Sequence, residues 1–236
     1  MTGASKGIGA AIAEALAAEG CDLHLAARSE DALESLARKL RETHGVEVTV
    51  HVADLREPAA LEQLATAEVD ILVNNAGDIP AGTLDQVSPD RWRHAWDLKV
   101  HGYVDLTREF YPRFCERGHG VIVNVIGTGG ERPTASYIAG GAGNAALMAF
   151  TRALGGEGPR HGVRVVGVNP GPVATERIKT MRAANSGVDA SFAALPSGRT
   201  AEPGEVADLV TFLASSRAAY ISGTIVTIDG GLTAAQ

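Results

Sequence analysis

The sequence predicts an α/β fold built on a single doubly wound parallel sheet with helices on both faces. Short runs rich in β-branched residues alternate with longer segments of helical periodicity along most of the chain. The runs VDILVN (69–74) and VIVNVI (121–126) are almost continuously apolar, as expected for strands buried on both sides. Strands and helices that alternate at this spacing imply right-handed crossovers and three layers.

The individual elements follow from local signals. Ile8, Ile12 and Leu16 recur at four-residue intervals in the first helix, which Gly20 ends. Ser29 is expected to cap the second helix, whose first turn is acidic. Strands are expected at 22–27, 46–52, 69–74, 121–126, 163–168 and 224–228. Helices are expected at 7–19, 30–40, 58–64, 89–115, 135–157 and 203–215.

Length and charge restrict the classes of protein that fit. A chain of 236 residues suits one domain, which we expect to span residues 1–236. The net charge of −7 argues against sequence-independent binding to nucleic acid or to an anionic membrane. We find no leader and no run of about 18 apolar residues, and Cys21 and Cys115 form neither a disulfide framework nor a metal-binding pattern. These features predict a cytoplasmic protein without a metal.

A glycine-rich turn leads directly into the first helix. Gly3, Gly7 and Gly9 permit a tight turn, a close approach by a pyrophosphate and close packing between helix and strand. The free N–H groups and positive dipole end of the helix then favour phosphate. Alone this is a weak signal, because a helix can begin in this way without any ligand.

Four further motifs strengthen the evidence for a phosphate-binding turn. Together with TGxxxGIG at residues 2–9, they resemble the short-chain dehydrogenase/reductase family: Asp54-Leu55, Asn74-Asn75-Ala76-Gly77, Asn169-Pro170-Gly171 and Asp229-Gly230-Gly231. The resemblance covers nearly the whole chain. It implies a Rossmann-type three-layer sandwich and an NAD(P)-dependent oxidoreductase acting on a carbonyl or alcohol.

The resemblance also implies a cofactor site. Ser5, Lys6 and Ile8 would line the phosphate turn, Asp54 and Leu55 would hold the adenine, and Asn75, Ala76 and Gly77 would lie along the ribose and nicotinamide. Pro170, Gly171 and Val173 would contact the nicotinamide, and Thr175 its carboxamide. An alternative is that Asn74 and Asn75 only support the turn.

The cofactor choice depends on the end of the second strand. An acidic residue there would favour NAD(H), but this chain has Ala27 followed by Arg28 and Ser29. Arg28 can pair with a 2′-phosphate, and Lys6 lies on the same side in family members that prefer NADP. NADP(H) is therefore favoured and NAD(H) remains possible, although Arg28 can also be read as a solvated charge.

The chain departs from the family at the expected Asn-Ser-Tyr-Lys set. The flanking residues fit without a gap and put Gly127, Gly140 and Asn144 at the Ser, Tyr and Lys positions, and counting from Trp92 in the preceding helix puts Lys99 at the Asn position. Neither glycine can transfer a proton through a side chain. Asn144 can hydrogen-bond a ribose but brings no charge.

Tyr137 and Lys99 could together provide the proton transfer that the replaced residues cannot. Tyr137 lies about one helical turn, ~5 Å, before the vacated tyrosine position. Lys99 can point into the same pocket, where its ammonium would stabilise the phenolate form. Thr128 can supply a hydroxyl in place of the serine. The alternative is that Tyr137 packs at a helix entry while Lys99 faces solvent or a subunit interface.

The leading hypothesis is an NADP(H)-preferring oxidoreductase of the short-chain type with an atypical site. The alternatives are a nucleotide-binding sensor or partner subunit without turnover, and lyase or isomerase chemistry in the same pocket. Residues 176–200 would form the substrate lid. By analogy we expect a homodimer or homotetramer. In this family a central strand precedes the glycine turn, so we also expect that a first strand is missing from the printed chain.

Overall fold

The computed structural model describes residues 1–176, 178 and 193–235, and its regular elements form a parallel α/β sandwich. The strands are β1 (Leu23–Ala27), β2 (Val48–Val52), β3 (Ile71–Asn74), β4 (Gly120–Val125), β5 (Val163–Pro170) and β6 (Ile225–Ile228). The helices are α1 (Gly7–Ala18), α2 (Glu30–His44), α3 (Pro58–Ala65), α4 (Pro89–Trp96), α5 (Gly102–Arg117), α6 (Ile138–Glu157) and α7 (Pro203–Ala214). The predicted fold class is confirmed.

The strands are buried on both faces, as their apolar sequences predict. Leu72, Ile122 and Val165 join the apolar core under α3 and α5. The next residue of each strand points the opposite way, so that Val73 and Val123 pack with α1, α2 and α7. Because successive side chains of a strand alternate between faces, a continuous apolar run fills both cores.

The sheet differs from the prediction in one respect. All of its strand pairs are parallel, but they form two groups, β1-β2 and β3-β4-β5-β6, rather than one ladder. Met1 and Thr2 lie between the groups: Ala26 donates to the Met1 carbonyl at 2.9 Å, and Thr2 donates to the Val73 carbonyl at 3.0 Å. Two residues are too few for a continuous ladder. The expected missing strand remains a prediction.

Two local predictions are wrong. The helix expected over 89–115 is interrupted, since a π-helical turn at Asp97–His101 separates α4 from α5. Such a turn inserts an extra residue into the helix and is frequent at functional sites. Ser29 stands at the N-cap position of α2, yet its side chain makes no capping hydrogen bond. Its extended backbone, rather than its hydroxyl, begins that helix.

A buried polar chain ties the ends of β3 and β4 to their neighbouring helices. The Asn74 amide donates to Asn124 Oδ1 at 2.9 Å and to the Thr107 hydroxyl on α5 at 3.2 Å. The Asn124 amide in turn donates to the Thr151 hydroxyl on α6 at 2.9 Å. These four side chains are almost fully buried, so each bond avoids the cost of an unpaired polar group. The network fixes the edge of the sheet at which the predicted site residues meet.

Candidate active site

The glycine turn before α1 has the shape that close ligand approach requires. Gly3 has φ +64°, and a Cβ on it would lie 2.9 Å from the Ala76 Cα. A Cβ on Gly9 would lie only 2.0 Å from the Gly3 carbonyl oxygen. Any larger residue at Gly9 would therefore force the turn and the helix apart.

Asn75 and Thr2 hold this turn against the end of β3. The Asn75 amide donates to the carbonyls of Thr2 and Gly3, both at 3.2 Å. The Thr2 hydroxyl accepts from the backbone N–H groups of Asn75 and Ala76 at 3.0 and 3.1 Å. The Asn75 side chain thus has the supporting role that we considered as an alternative. Its contact with a cofactor stays a prediction.

The start of α1 offers a fit for a pyrophosphate. Lys6 precedes the helix, is exposed and makes no side-chain capping bond. The N–H groups of a first helical turn lack partners inside the helix, so they and the helix dipole can bind an anion. Thr175 reaches this turn from the segment after β5, since its methyl group would be 3.2 Å from a Cβ on Gly7.

The topology gathers the predicted cofactor residues at one edge. The loops that follow β1, β2, β3 and β5 lie at the carboxyl ends of parallel strands, next to the glycine turn. The residues in these segments are Gly3, Ser5, Lys6, Gly7, Ile8, Gly9, Arg28, Ser29, Asp54, Leu55, Asn75, Ala76, Gly77, Pro170, Gly171, Val173 and Thr175.

Asp54, at the end of β2, is held by a residue that the sequence motif does not single out. The Arg56 guanidinium contacts both carboxylate oxygens, with Nε 2.8 Å from Oδ1. This hydrogen-bonded cation lowers the pKa of the Asp54 carboxyl. Arg56 Nη1 also contacts the His94 ring on α4, at 3.2 Å from Nδ1.

The carboxyl end of β4 leads into Gly127, which adopts φ +121°. Asn169 Oδ1 on β5 accepts from the Gly127 N–H at 3.2 Å, and the Asn144 amide on α6 donates to the Gly127 carbonyl at 3.1 Å. Asn144 is 2% exposed, and its Oδ1 has no hydrogen-bond partner within the described part of the chain. A buried carbonyl oxygen without a donor favours a hydroxyl or N–H from a ligand.

Tyr137 occupies the space above Gly140. It stands at the N-cap position of α6, and its ring folds back along the first turn of that helix. A Cβ on Gly140 would lie 2.1 Å from Cζ and 2.6 Å from the hydroxyl of Tyr137. On the other side, a Cβ on Gly129 would lie 3.1 Å from the ring. Both glycines therefore make room for this phenol.

Lys99 reaches the same strand end from the π-helical turn. Its alkyl chain packs over Gly77, where a Cβ would lie 3.0 Å from the Lys99 Cδ. Its ammonium donates to the carbonyl of Ile126, the residue before Gly127. Lys99, Asn144 and the Tyr137 ring therefore contact residues 126–129, the segment that directly follows β4. Thr128 begins the short 3-10 turn in this segment and is half-buried.

The comparisons with known proteins agree with this architecture. Residues 3–233 match the family described as enoyl-(acyl carrier protein) reductase. A galactitol 2-dehydrogenase (L-tagatose-forming) of Cereibacter sphaeroides is 37% identical over 240 residues, which is 99% of this chain and 93% of that protein. The chain belongs to the short-chain dehydrogenase/reductase family. The sequence-based prediction of an oxidoreductase of this family is confirmed.

Solved structures of other short-chain dehydrogenase/reductases superpose closely. L-sorbose reductase from Gluconobacter frateurii, complexed with NADPH and L-sorbose, has a TM-score of 0.92 and 32% identity, covering 100% of this chain and 96% of that one. A short chain dehydrogenase/reductase family protein has a TM-score of 0.89 and 34% identity, covering 99% and 96%.

Within this short-chain dehydrogenase/reductase, the sequence did not reveal two contacts at the candidate site. Arg56 lies only two residues after Asp54, and the loop after β2 brings the two side chains into contact. Asn169 belongs to a recognised motif, but its bond to the Gly127 N–H depends on strand order. Most of the expected lid, residues 177 and 179–192, lies outside the described residues.

Neither a membrane-spanning helix nor a metal-binding cluster is present in the described ranges, 1–176, 178 and 193–235. No helix there is long and apolar enough to pass through a lipid bilayer. No group of three or more His, Cys, Asp or Glu side chains in those ranges is placed to hold a metal ion.

The substitution Gly140→Ala should lower kcat strongly while changing the free energy of unfolding only slightly. Its Cβ would overlap the Tyr137 ring, whose free end can swing aside, so we expect a loss of free energy of unfolding of no more than about 1.5 kcal/mol. We expect kcat to fall at least about tenfold because the hydroxyl moves. Gly156→Ala on the same helix is the control, since no atom lies within 4 Å of its Cβ position. Full activity in Gly140→Ala, measured beside this control, would contradict a role for the ring position.

Proposed function

We propose that this chain transfers a hydride between NADP(H) and a carbonyl or alcohol substrate, with Tyr137 as the proton donor and acceptor. The observation that carries the proposal is the phenol of Tyr137 above Gly140, in the space that a side chain at position 140 would enter. The family's usual tyrosine would start from that position. A tyrosine three residues earlier thus presents the same functional group beside the same helix.

Several features support NADP(H) as the cofactor. The uncapped start of α1 with its glycine turn suits a pyrophosphate, and Arg28 with Lys6 supplies positive charge for a 2′-phosphate. L-sorbose reductase, which is 32% identical, was solved with NADPH. When bound, the nicotinamide supplies or accepts the hydride.

The protein's own groups would manage the proton. In the reducing direction, the Tyr137 hydroxyl donates its proton to the oxygen that forms as the carbonyl is reduced. The Lys99 ammonium, which ends at the Ile126 carbonyl, stabilises the phenolate left behind. Asn144, whose Oδ1 is buried and unpaired within the described chain, would help to hold the cofactor by a hydrogen bond to a ribose hydroxyl. Thr128 orients the substrate oxygen.

The position of the phenol has a consequence for the substrate. A tyrosine at position 140 would carry its hydroxyl the length of its ring further from α6 than the Tyr137 hydroxyl lies. The reacting carbonyl must therefore approach closer to α6. Gly127, at the family's usual serine position, has no side chain that would block this approach.

We also propose that the chain works in the cytoplasm as a homodimer or homotetramer, without nucleic acid or a membrane as partner. The exposed face of α6 supports association, because it presents Ala142, Ala145, Ala146 and Ala149. Light scattering of the purified chain checks its mass.

Binding and turnover together test the function. We expect the protein to bind NADPH and to oxidise it when ketoses, simple ketones or β-ketoacyl thioesters are added. Binding without turnover on such a panel would favour a sensor or partner subunit. Failure to bind NADPH or NADH would contradict the proposed cofactor role.

A further inference from the structure

The ends of β1 and β2 bring a cation and an anion together at the predicted adenosine side. Ala27 pairs with Val52 in the parallel register, and the Ala53 N–H donates to the Ala27 carbonyl at 2.9 Å. Arg28 directly follows Ala27, and Asp54 is the second residue after Val52. Neighbouring strands lie about 4.8 Å apart, and the Arg28 charge is close enough to contribute to the lowered pKa of Asp54.

An uncompensated Asp54 would oppose a 2′-phosphate at this place. A carboxylate beside a dianion is repelled through a partly desolvated medium, and the repulsion cancels part of the attraction from Arg28. Arg28 and Lys6 favour NADP(H), but Asp54 places a negative charge close to them. In the structure, the positive charge of Arg56 compensates the negative charge of Asp54.

Arg56 pairs with the Asp54 carboxylate through both its side chain and its backbone. Its Nε lies 2.8 Å from Oδ1, Nη2 contacts Oδ2, and the Arg56 backbone N–H donates to Oδ1 at 3.2 Å. The Arg56 side chain is 14% exposed and that of Asp54 is 26% exposed. The pair is therefore shielded enough from water for its charges to matter.

We propose that Arg56 determines cofactor specificity by neutralising Asp54, so that Arg28 and Lys6 act on the 2′-phosphate without opposition. This inference rests on the proposed NADP(H) function. It makes Arg56 a third cationic residue, besides Arg28 and Lys6, that determines the preference for NADP(H). With Arg56 present, the four charged side chains Lys6, Arg28, Asp54 and Arg56 sum to +2. Without it, they sum to +1, with the negative charge exposed to the ligand.

A purely structural role for Arg56 makes a different prediction. If Arg56 only shaped the loop after β2, its loss would weaken the binding of NADPH and of NADH to the same extent, because both cofactors carry the same adenosine. A charge-balancing role acts on the 2′-phosphate alone. The ratio of the two dissociation constants therefore separates the two roles.

The experiment is a double-mutant cycle read by calorimetric binding of NADPH and NADH. For Arg56→Gln we expect the dissociation constant for NADPH to rise roughly tenfold and that for NADH to change less than about twofold. Asp54→Asn keeps an acceptor for the adenine and removes the charge. Added to Arg56→Gln, it should restore the NADPH to NADH ratio to within about threefold of the wild type.

A control variant and the wild type separate a failure of the role of Arg56 from a failure of the proposed NADP(H) function. Arg160→Gln removes an exposed arginine paired with Glu157 at the opposite edge of the sheet, and it should leave both constants unchanged. An unchanged ratio in Arg56→Gln, or no recovery in the double variant, overturns the inference while the wild type still prefers NADPH. A wild type that binds neither cofactor overturns the proposed function itself.

Discussion

Replacing Tyr137 with phenylalanine should lower kcat by about 10²- to 10⁴-fold, the range that general acid catalysis contributes. The substitution removes only the hydroxyl, so the ring still fills the space between Gly129 and Gly140. We therefore expect the free energy of unfolding and the dissociation constant for NADPH to stay close to the wild-type values. Steady-state kinetics and calorimetric binding measure the two effects separately.

Tyr220→Phe is the matched control, because Tyr220 is fully exposed and distant in sequence from the site. It should leave kcat unchanged. Wild-type turnover in Tyr137→Phe would exclude this hydroxyl as the proton donor, and the packing role would then be the better interpretation of Tyr137.

Gly9→Ala should damage both the fold and the cofactor site. The new Cβ would lie 2.0 Å from the Gly3 carbonyl oxygen and 2.7 Å from the Asn75 Nδ2. One of these is backbone and the other is the amide that ties the turn to β3, so neither can yield cheaply. We expect a loss of about 3 kcal/mol in the free energy of unfolding and at least tenfold weaker NADPH binding.

Gly204→Ala controls for the loss of a helical glycine. Gly204 lies in α7 with no atom within 4 Å of its Cβ position, so alanine should raise the free energy of unfolding by about 0.5 to 1 kcal/mol. Denaturant unfolding of both variants makes the comparison. Equal stabilities for the two would contradict the close approach of α1 and the glycine turn.

The sequence predicted the fold well because its signals are local. The apolar strands and the periodic helices have the expected order, and their bounds shift by only a few residues. The break at Asp97–His101 could not be predicted, since that π-helical turn contains no glycine or proline and the single Gly102 after it is also tolerated in a continuous helix. The division of the sheet depends on which strands meet, and periodicity does not carry that information.

The candidate site was predicted only in part, for a similar reason. The ungapped alignment found the vacated positions, and the place of Tyr137 one turn before Gly140 suggested the substitution. Glycine is dense around this site, at positions 127, 129, 130, 140, 141 and 143, and from the sequence either ligand access or close packing of helices across a subunit interface would explain it. At Gly129 and Gly140 the structure adds a third, because a tyrosine ring of the same chain lies against both.

The most direct test of the central claim follows the transferred hydride with and without the hydroxyl that is proposed to supply the proton. NADPH deuterated at the transferred position is mixed with the wild type, Tyr137→Phe and a carbonyl compound that the wild type reduces. We expect deuterium on the new alcohol carbon with the wild type, and a rate of transfer at least 100-fold lower with Tyr137→Phe. Transfer at equal rates by the two proteins, or an alcohol without deuterium, would contradict it.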